Sequence, residues 1–215
     1  MKKIFTLLVA AFSATTMMAQ MHGAKKFVGA STMQVSNVNL SNASDTISFV
    51  MNNMTSGDIT LPEMKGMLTI PSFTIKGATF SMGSNHVVEF ANQQFASTVN
   101  VNGADKTITG TSLTGTYNMA DNSFSLTAVF KYGAMPMPMT YNVKGYYVKG
   151  VSGAISVTVG EKFTYDNSSV TYSLRKYKED DVEKLDVEVP YYTLDNTIMG
   201  NLGLGKYVVK GLVYD

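Results

Sequence analysis

The chain has no cysteine and no tryptophan, and among its 215 residues only two histidines and five prolines. Without cysteine there can be no disulfide framework, no thiol nucleophile and no thiolate metal site, so a folded state must rest on a hydrophobic core. Two histidines, His22 and His86, are little material for acid–base chemistry or an imidazole-bound metal. Charge is scarce as well. Lys, Arg, Asp and Glu make up 15% of the chain and the net charge is +1, which gives no electrostatic footprint for nucleic acid. Beyond the N-terminal stretch, no apolar run reaches the roughly 20 residues of a membrane-spanning helix. Missing too are a GxSxG elbow, a glycine-rich loop that opens a helix, and a carboxylate pair of the kind used on glycosides. These absences predict a non-enzymatic protein with no catalytic residues, no cofactor and no metal.

What is present begins with an export signal. Lys2 and Lys3 precede the apolar run Ile4 to Ala14, and Met17-Met18-Ala19 follows. A charged start, a short apolar segment and a small residue at the end read as a signal peptide over residues 1–19, cleaved after Ala19. The mature chain is then expected in the periplasm or at the cell surface.

From Phe27 onward the pattern is strand after strand. Ile47, Phe49 and Met51 alternate with polar residues, as do Phe124, Leu126, Ala128, Phe130 and Tyr132. A period of two is the mark of a half-buried strand. Strands are predicted at 28–38, 45–52, 58–62, 67–79, 86–91, 95–101, 106–119, 123–132 and 137–149, with turns at Asn102-Gly103 and at Ala120-Asp121-Asn122. A second series is predicted at 153–160, 168–177, 184–189, 192–199 and 204–213. Arg175 to Lys184 is the one dense charge cluster and reads as a solvated hairpin end. Many short strands with Gly, Asn and Asp turns imply an all-β antiparallel sandwich or barrel.

Two stretches resemble each other. Gly66 to Phe80 and Gly200 to Tyr214 align without a gap, with Gly66/Gly200, Leu68/Leu202, Lys76/Lys210 and Gly77/Gly211 identical. Upstream, Ile59-Thr-Leu-Pro62 resembles Val187-Glu-Val-Pro190, and Thr46 to Val50 resembles Val170 to Leu174. The fixed offset within the first pair suggests a duplicated unit, with the loop after Pro190 longer by six residues than the one after Pro62.

Residues 27–149 resemble the calycin-like, or lipocalin-like, β-barrel family of secreted bacterial proteins. The likeness is carried by Ile108 to Tyr117 (ITGTSLTGTY), the turn at Ala120-Asp121-Asn122, Phe124 to Thr127, Met135 to Tyr141 (MPMPMTY), Ile59 to Pro62 and Gly66 to Ile70. It implies an antiparallel up-and-down barrel of about eight strands, and no particular activity. Residues 150–215 then read as a partial second copy, or as an extra β segment. Met135, Met137 and Met139 would share a face if they lay on one strand. Three thioethers can bind a soft metal, but methionine recurs throughout this chain with no metal spacing, and an apolar lining is the simpler reading. With Phe124, Phe130 and Tyr141 they form the candidate ligand-lining set. The expected partners are a small apolar or amphipathic ligand, or another copy of the chain paired through exposed strand edges. Asp45-Thr46-Ile47 fits a short O-glycosylation pattern, too brief to discriminate.

Overall fold

The computed structural model describes residues 23–66, 68–83, 86–159, 163–197 and 200–213. The predicted signal peptide and His22 lie outside these. The described residues form fourteen strands and no helix, and no helix is long and apolar enough to cross a membrane. The chain divides into two compact units between Tyr146 and Tyr147.

The first unit is a run of antiparallel hairpins: β1 (Ala24–Val35), β2 (Val38–Met51), β3 (Ser56–Leu61), β4 (Phe73–Thr79), β5 (Ser81–Met82), β6 (Val87–Val101), β7 (Ala104–Asn118), β8 (Ser123–Tyr132) and the first part of β9 (Met139–Val159), up to Tyr146. Their order in the sheet is β4-β3-β2-β1-β9-β8-β7-β6-β5. The turns use the residues that tolerate a left-handed backbone. Ser36 has φ 51°, Asn102 and Gly103 have 53° and 82°, and Asn122 has 60°.

Alternation places the core as the sequence predicts. Along β8, Phe124, Leu126, Ala128, Phe130 and Tyr132 are buried. Their inward neighbours include Phe27, Ile47, Phe49, Ile59, Leu61, Phe73, Ile75, Phe90 and Ile108. Aromatic rings pack edge to face. Phe49, Phe80 and Phe90 form a triad with centroids 5.5 to 5.7 Å apart. Phe130 meets Phe73 at 5.4 Å, and Phe124 stacks on Phe27 at 4.2 Å. Burying one such ring contributes about 1.5–3 kcal/mol.

Some expected boundaries move. Residues 86–91 and 95–101 are one strand, β6, and the apparent break between them is a pair of register shifts around Gln93 opposite β7. Residues 68–72 are not extended as expected, and residue 67 lies outside the described residues. Met64 and Ile70 form an isolated bridge that folds this loop back on itself. Met135 to Pro138 is the turn between β8 and β9, so the three methionines share no strand face. Residues 153–159 continue β9 instead of starting a new strand.

Two further features shape the sheet. Gly29 of β1 and Gly145 of β9 meet so closely that a Cβ on Gly145 would stand 2.3 Å from the Val28 carbonyl oxygen. Glycine is what permits that approach. Near the ladder's ends, β4 and β6 are not neighbours in the sheet order but are joined by side chains. Gln93 Nε2 donates to the Thr79 carbonyl at 2.7 Å, Gln93 Oε1 accepts from Thr79 N–H at 2.7 Å, and Ser97 Oγ donates to the Thr74 carbonyl at 2.9 Å.

In the second unit, β9 from Lys149 onward pairs with β10 (Phe163–Glu179). β10 pairs with β11 (Val182–Val189), and β11 with β14 (Tyr207–Val213). β12 (Tyr192–Thr197) and β13 (Gly200–Leu204) form a separate hairpin. The buried cluster is small: Ile155, Val189 and Tyr192, with Val157, Tyr165, Val170 and Tyr172 packed around it. The predicted charged hairpin end is the β10–β11 turn, where Asp180 and Asp181 take φ of 51° and 63°. Lys178 pairs there with Asp181, and Lys184 with Glu179.

The β3–β4 and β11–β14 ladders share local geometry. Ile59 faces Ile75 and Leu61 faces Phe73, just as Val187 faces Val209 and Val189 faces Tyr207. Each ladder has a register shift at the same place, just before Ile59 and just before Val187. Gly77 and Gly211 both have a left-handed backbone, φ 64° and 68°. The N–H of each donates to an aspartate at 2.9 Å, Asp58 Oδ1 for Gly77 and Asp186 Oδ1 for Gly211.

Candidate functional site

The site grows from a register shift. On β1 the inward positions are odd-numbered, and they include Phe27, Ser31 and Met33. On β2 they are odd from Phe49 back to Asp45 and then change parity, so that beyond the shift Leu40 turns inward. The β1–β2 ladder is regular from Ala24 to Gly29, opposite Val50 to Asp45, and resumes at Ser31 opposite Asn42. Extra residues at such a bulge re-aim side chains. Asn42 braces it by accepting the Ser44 N–H at 3.2 Å.

The result is a carboxylate on the buried face of the sheet. Asp45 is 7% exposed. Its Oδ2 accepts hydrogen bonds from Ser31 Oγ and, at 2.8 Å, from the Tyr141 hydroxyl. Its Oδ1 accepts from Asn42 Nδ2 at 2.6 Å. All three donors are neutral. Burying a carboxylate is costly unless it is paired or hydrogen-bonded, and here three donors compensate it. Tyr141, 1% exposed, is held protonated well above its ordinary range, first because burial disfavours the phenolate and then because it donates to Asp45. It is therefore a fixed donor at any physiological pH.

This cluster forms one wall of a cavity of about 310 Å³. Ser31, Ser41, Asn42, Asp45 and Tyr141 supply its polar surface, and Met33, Leu40 and Met64 its apolar surface. Glu63 and Lys65 stand at its exposed rim, 3.3 Å apart as an ion pair. Met64 is fixed there by its bridge to Ile70.

Of the residues expected to line a ligand, Tyr141 borders the cavity. Phe124, Phe130 and Met139 are buried, at 3%, 0% and 1% exposure. Met135 is half-buried, and Met137 is 45% exposed in the β8–β9 turn. Sequence reading did not select Ser31, Met33, Leu40, Asn42, Asp45 or Met64 as lining residues. The change in apolar parity between Leu40 and Ile47 was a visible trace of the bulge.

Chemically, the cluster is a donor–acceptor network. Both hydroxyls donate to one carboxylate oxygen, so the arrangement fixes a charge without activating a nucleophile. His86 lies at the start of β6, exposed, with φ 60°. Among the described residues, no group of three or more His, Cys, Asp and Glu is placed to hold a metal. No protein family, no curated protein and no solved structure matches this chain.

Proposed function

We propose that this is an exported, non-enzymatic β-barrel protein that binds a small amphipathic molecule in the cavity beside Asp45. The observation that carries this reading is the cavity's make-up: a buried carboxylate held by three donors and three flexible apolar side chains line one cavity of about 310 Å³. Sites for small molecules are commonly apolar with a few fixed polar groups, in cavities of roughly 300 Å³ upward. The barrel reading is supported by the two ends of the ladder. Only Phe80 separates β4 from β5, β5 pairs with β6, and Gln93 and Ser97 tie β6 to β4. Taking β4 and β5 as one strand gives the eight-stranded up-and-down topology that the lipocalin-like resemblance implies. Its interior is filled with phenylalanine rings, so the ligand belongs at one end of the barrel. The test is native mass spectrometry of the exported protein, followed by amide NMR as any adduct is removed. A discrete small adduct, with shifts confined to the lining residues, is expected. A bare protein whose spectrum no amphiphile perturbs would overturn the reading.

A second reading, association through a strand edge, is favoured by β14. Tyr207, Val209 and Leu212 are 46%, 39% and 41% exposed. At the matching positions of β4, Phe73, Ile75 and Ala78 are 3%, 1% and 2% exposed. We read β10, β11 and β14 as a copy of β2, β3 and β4, on the strength of the shared register and the two Asp–Gly hydrogen bonds. In this reading the copy lacks the neighbour that β6 provides for β4, and a second chain supplies it by pairing β14 with β14. Sedimentation should show a concentration-dependent dimer that Val208→Pro abolishes. A strict monomer at high concentration would refute it.

A further inference from the structure

We infer that the molecule bound beside Asp45 carries a cationic head, an ammonium group on a short apolar body, and is neither an acid nor an uncharged lipid. The inference rests on reading the cavity as a binding site, and it goes on to name the chemical class.

Three observations lead there. First, the charges around the cavity do not balance. Lys65 is engaged with Glu63 at the exposed rim, whereas Asp45 lies deep and its hydrogen bonds come from Ser31, Tyr141 and Asn42, all uncharged. The lining as a whole carries one negative charge in excess, located at the buried end. Second, the carboxylate still has capacity to accept. A carboxylate offers about four lone-pair positions. Oδ2 takes two donors and Oδ1 takes one, so an acceptor position remains on Oδ1. A ligand donor can use it, and a ligand carboxylate or phosphate would meet repulsion there. Third, the rest of the lining includes an apolar surface. Met33, Leu40 and Met64 are unbranched or flexible chains that conform to a tail of no fixed shape.

Size limits the body. At roughly 30 Å³ per water-sized group, the cavity holds about ten non-hydrogen atoms. An ammonium with a chain of about eight carbons fits. The cation adds what a hydroxyl cannot. Any donor to Asp45 makes a charge-assisted bond, but only a cation also neutralises the carboxylate, which is 7% exposed.

The experiment is a titration of the full mature protein with three probes of matched chain length: octylammonium, octanol and octanoate. Binding is read by calorimetry and by amide NMR shifts at the lining residues. The expected order is ammonium, then alcohol, with octanoate unbound, and at least a tenfold gap between the first two. Asp45→Asn, which keeps the size and removes the charge, should erase that gap, with octylammonium losing far more affinity than octanol. The three-probe order needs no variant and decides the matter even if Asp45→Asn fails to fold. Equal binding of octanol and octylammonium, or tighter octanoate, would overturn the cationic head and leave the cavity reading intact. If no probe shifts a lining residue, the cavity reading falls, and this inference with it.

Discussion

Replacing Asp45 with alanine removes the acceptor for the Tyr141 and Ser31 hydroxyls, both of them buried. A buried donor left without a partner costs about 1–3 kcal/mol. Two such donors set an upper figure near 6 kcal/mol. Relief from burying the charge lowers it, as does water that can reach Ser31 from the cavity. The expected loss for Asp45→Ala is therefore about 2–4 kcal/mol. Tyr141→Phe alone removes one charge-assisted bond and leaves Asp45 with two donors, a loss of about 1–2 kcal/mol. With both changes present, tyrosine's unsatisfied hydroxyl is gone and the second substitution should cost little. The predicted coupling is about 1–3 kcal/mol. Urea unfolding, followed by tyrosine fluorescence and far-UV circular dichroism, measures it, provided m for the first unit's transition stays constant across the four proteins. If the two losses add to within about 0.5 kcal/mol, the hydroxyl and the carboxylate are not coupled and the network argument is refuted.

Three further outcomes are expected. Tyr141 holds its proton beyond its ordinary range, while an unfolded tyrosine releases its own near pH 10. Stability from this group is thus complete below about pH 10 and falls above it, by about 1.4 kcal/mol per pH unit; urea midpoints through that range should show a component that Tyr141→Phe removes. Gly145→Ala drives a methyl into the Val28 carbonyl and should cost at least about 1–3 kcal/mol, seen as a lowered thermal midpoint. Gly77→Ala meets no atom within 4 Å, so only its φ of 64° resists, at about 1–2 kcal/mol; a much larger loss by urea titration would mean that the site is crowded after all.

The all-β character and most hairpins were legible because alternation and turn chemistry are local. Phe124 to Tyr132 and Asn102-Gly103 fell where their periodicity and left-handed preference put them. The break expected between residues 91 and 95 was misleading because a bulge interrupts alternation without ending a strand. Register was legible only in part. The ungapped upstream match set Ser48 against Tyr172, yet Ser48 faces Thr60 and Ser173 faces Glu188, so the ladders set Ser48 against Ser173. A slip of one residue reverses every side chain, and only a pairing partner can correct it. The site was the least legible part. Asp45, Ser31 and Tyr141 come from three strands, and no spacing in the chain announces that they meet.

The meeting of Gly29 and Gly145 also bears on how the chain acquires its shape. β1 is synthesised first, and its second neighbour in the sheet, β9, comes at the far end of the first unit. Each intervening hairpin can zip up locally and quickly, but β1 must wait with one edge open until almost the whole unit has emerged. Closure entropy for so long a span makes that final pairing the slow step. The absence of side chains at the crossing allows the two backbones to seat without first clearing a groove. A cysteine pair engineered elsewhere between β1 and β9 would then shorten the wait and accelerate refolding, whereas one within the β7–β8 hairpin would leave the rate unchanged.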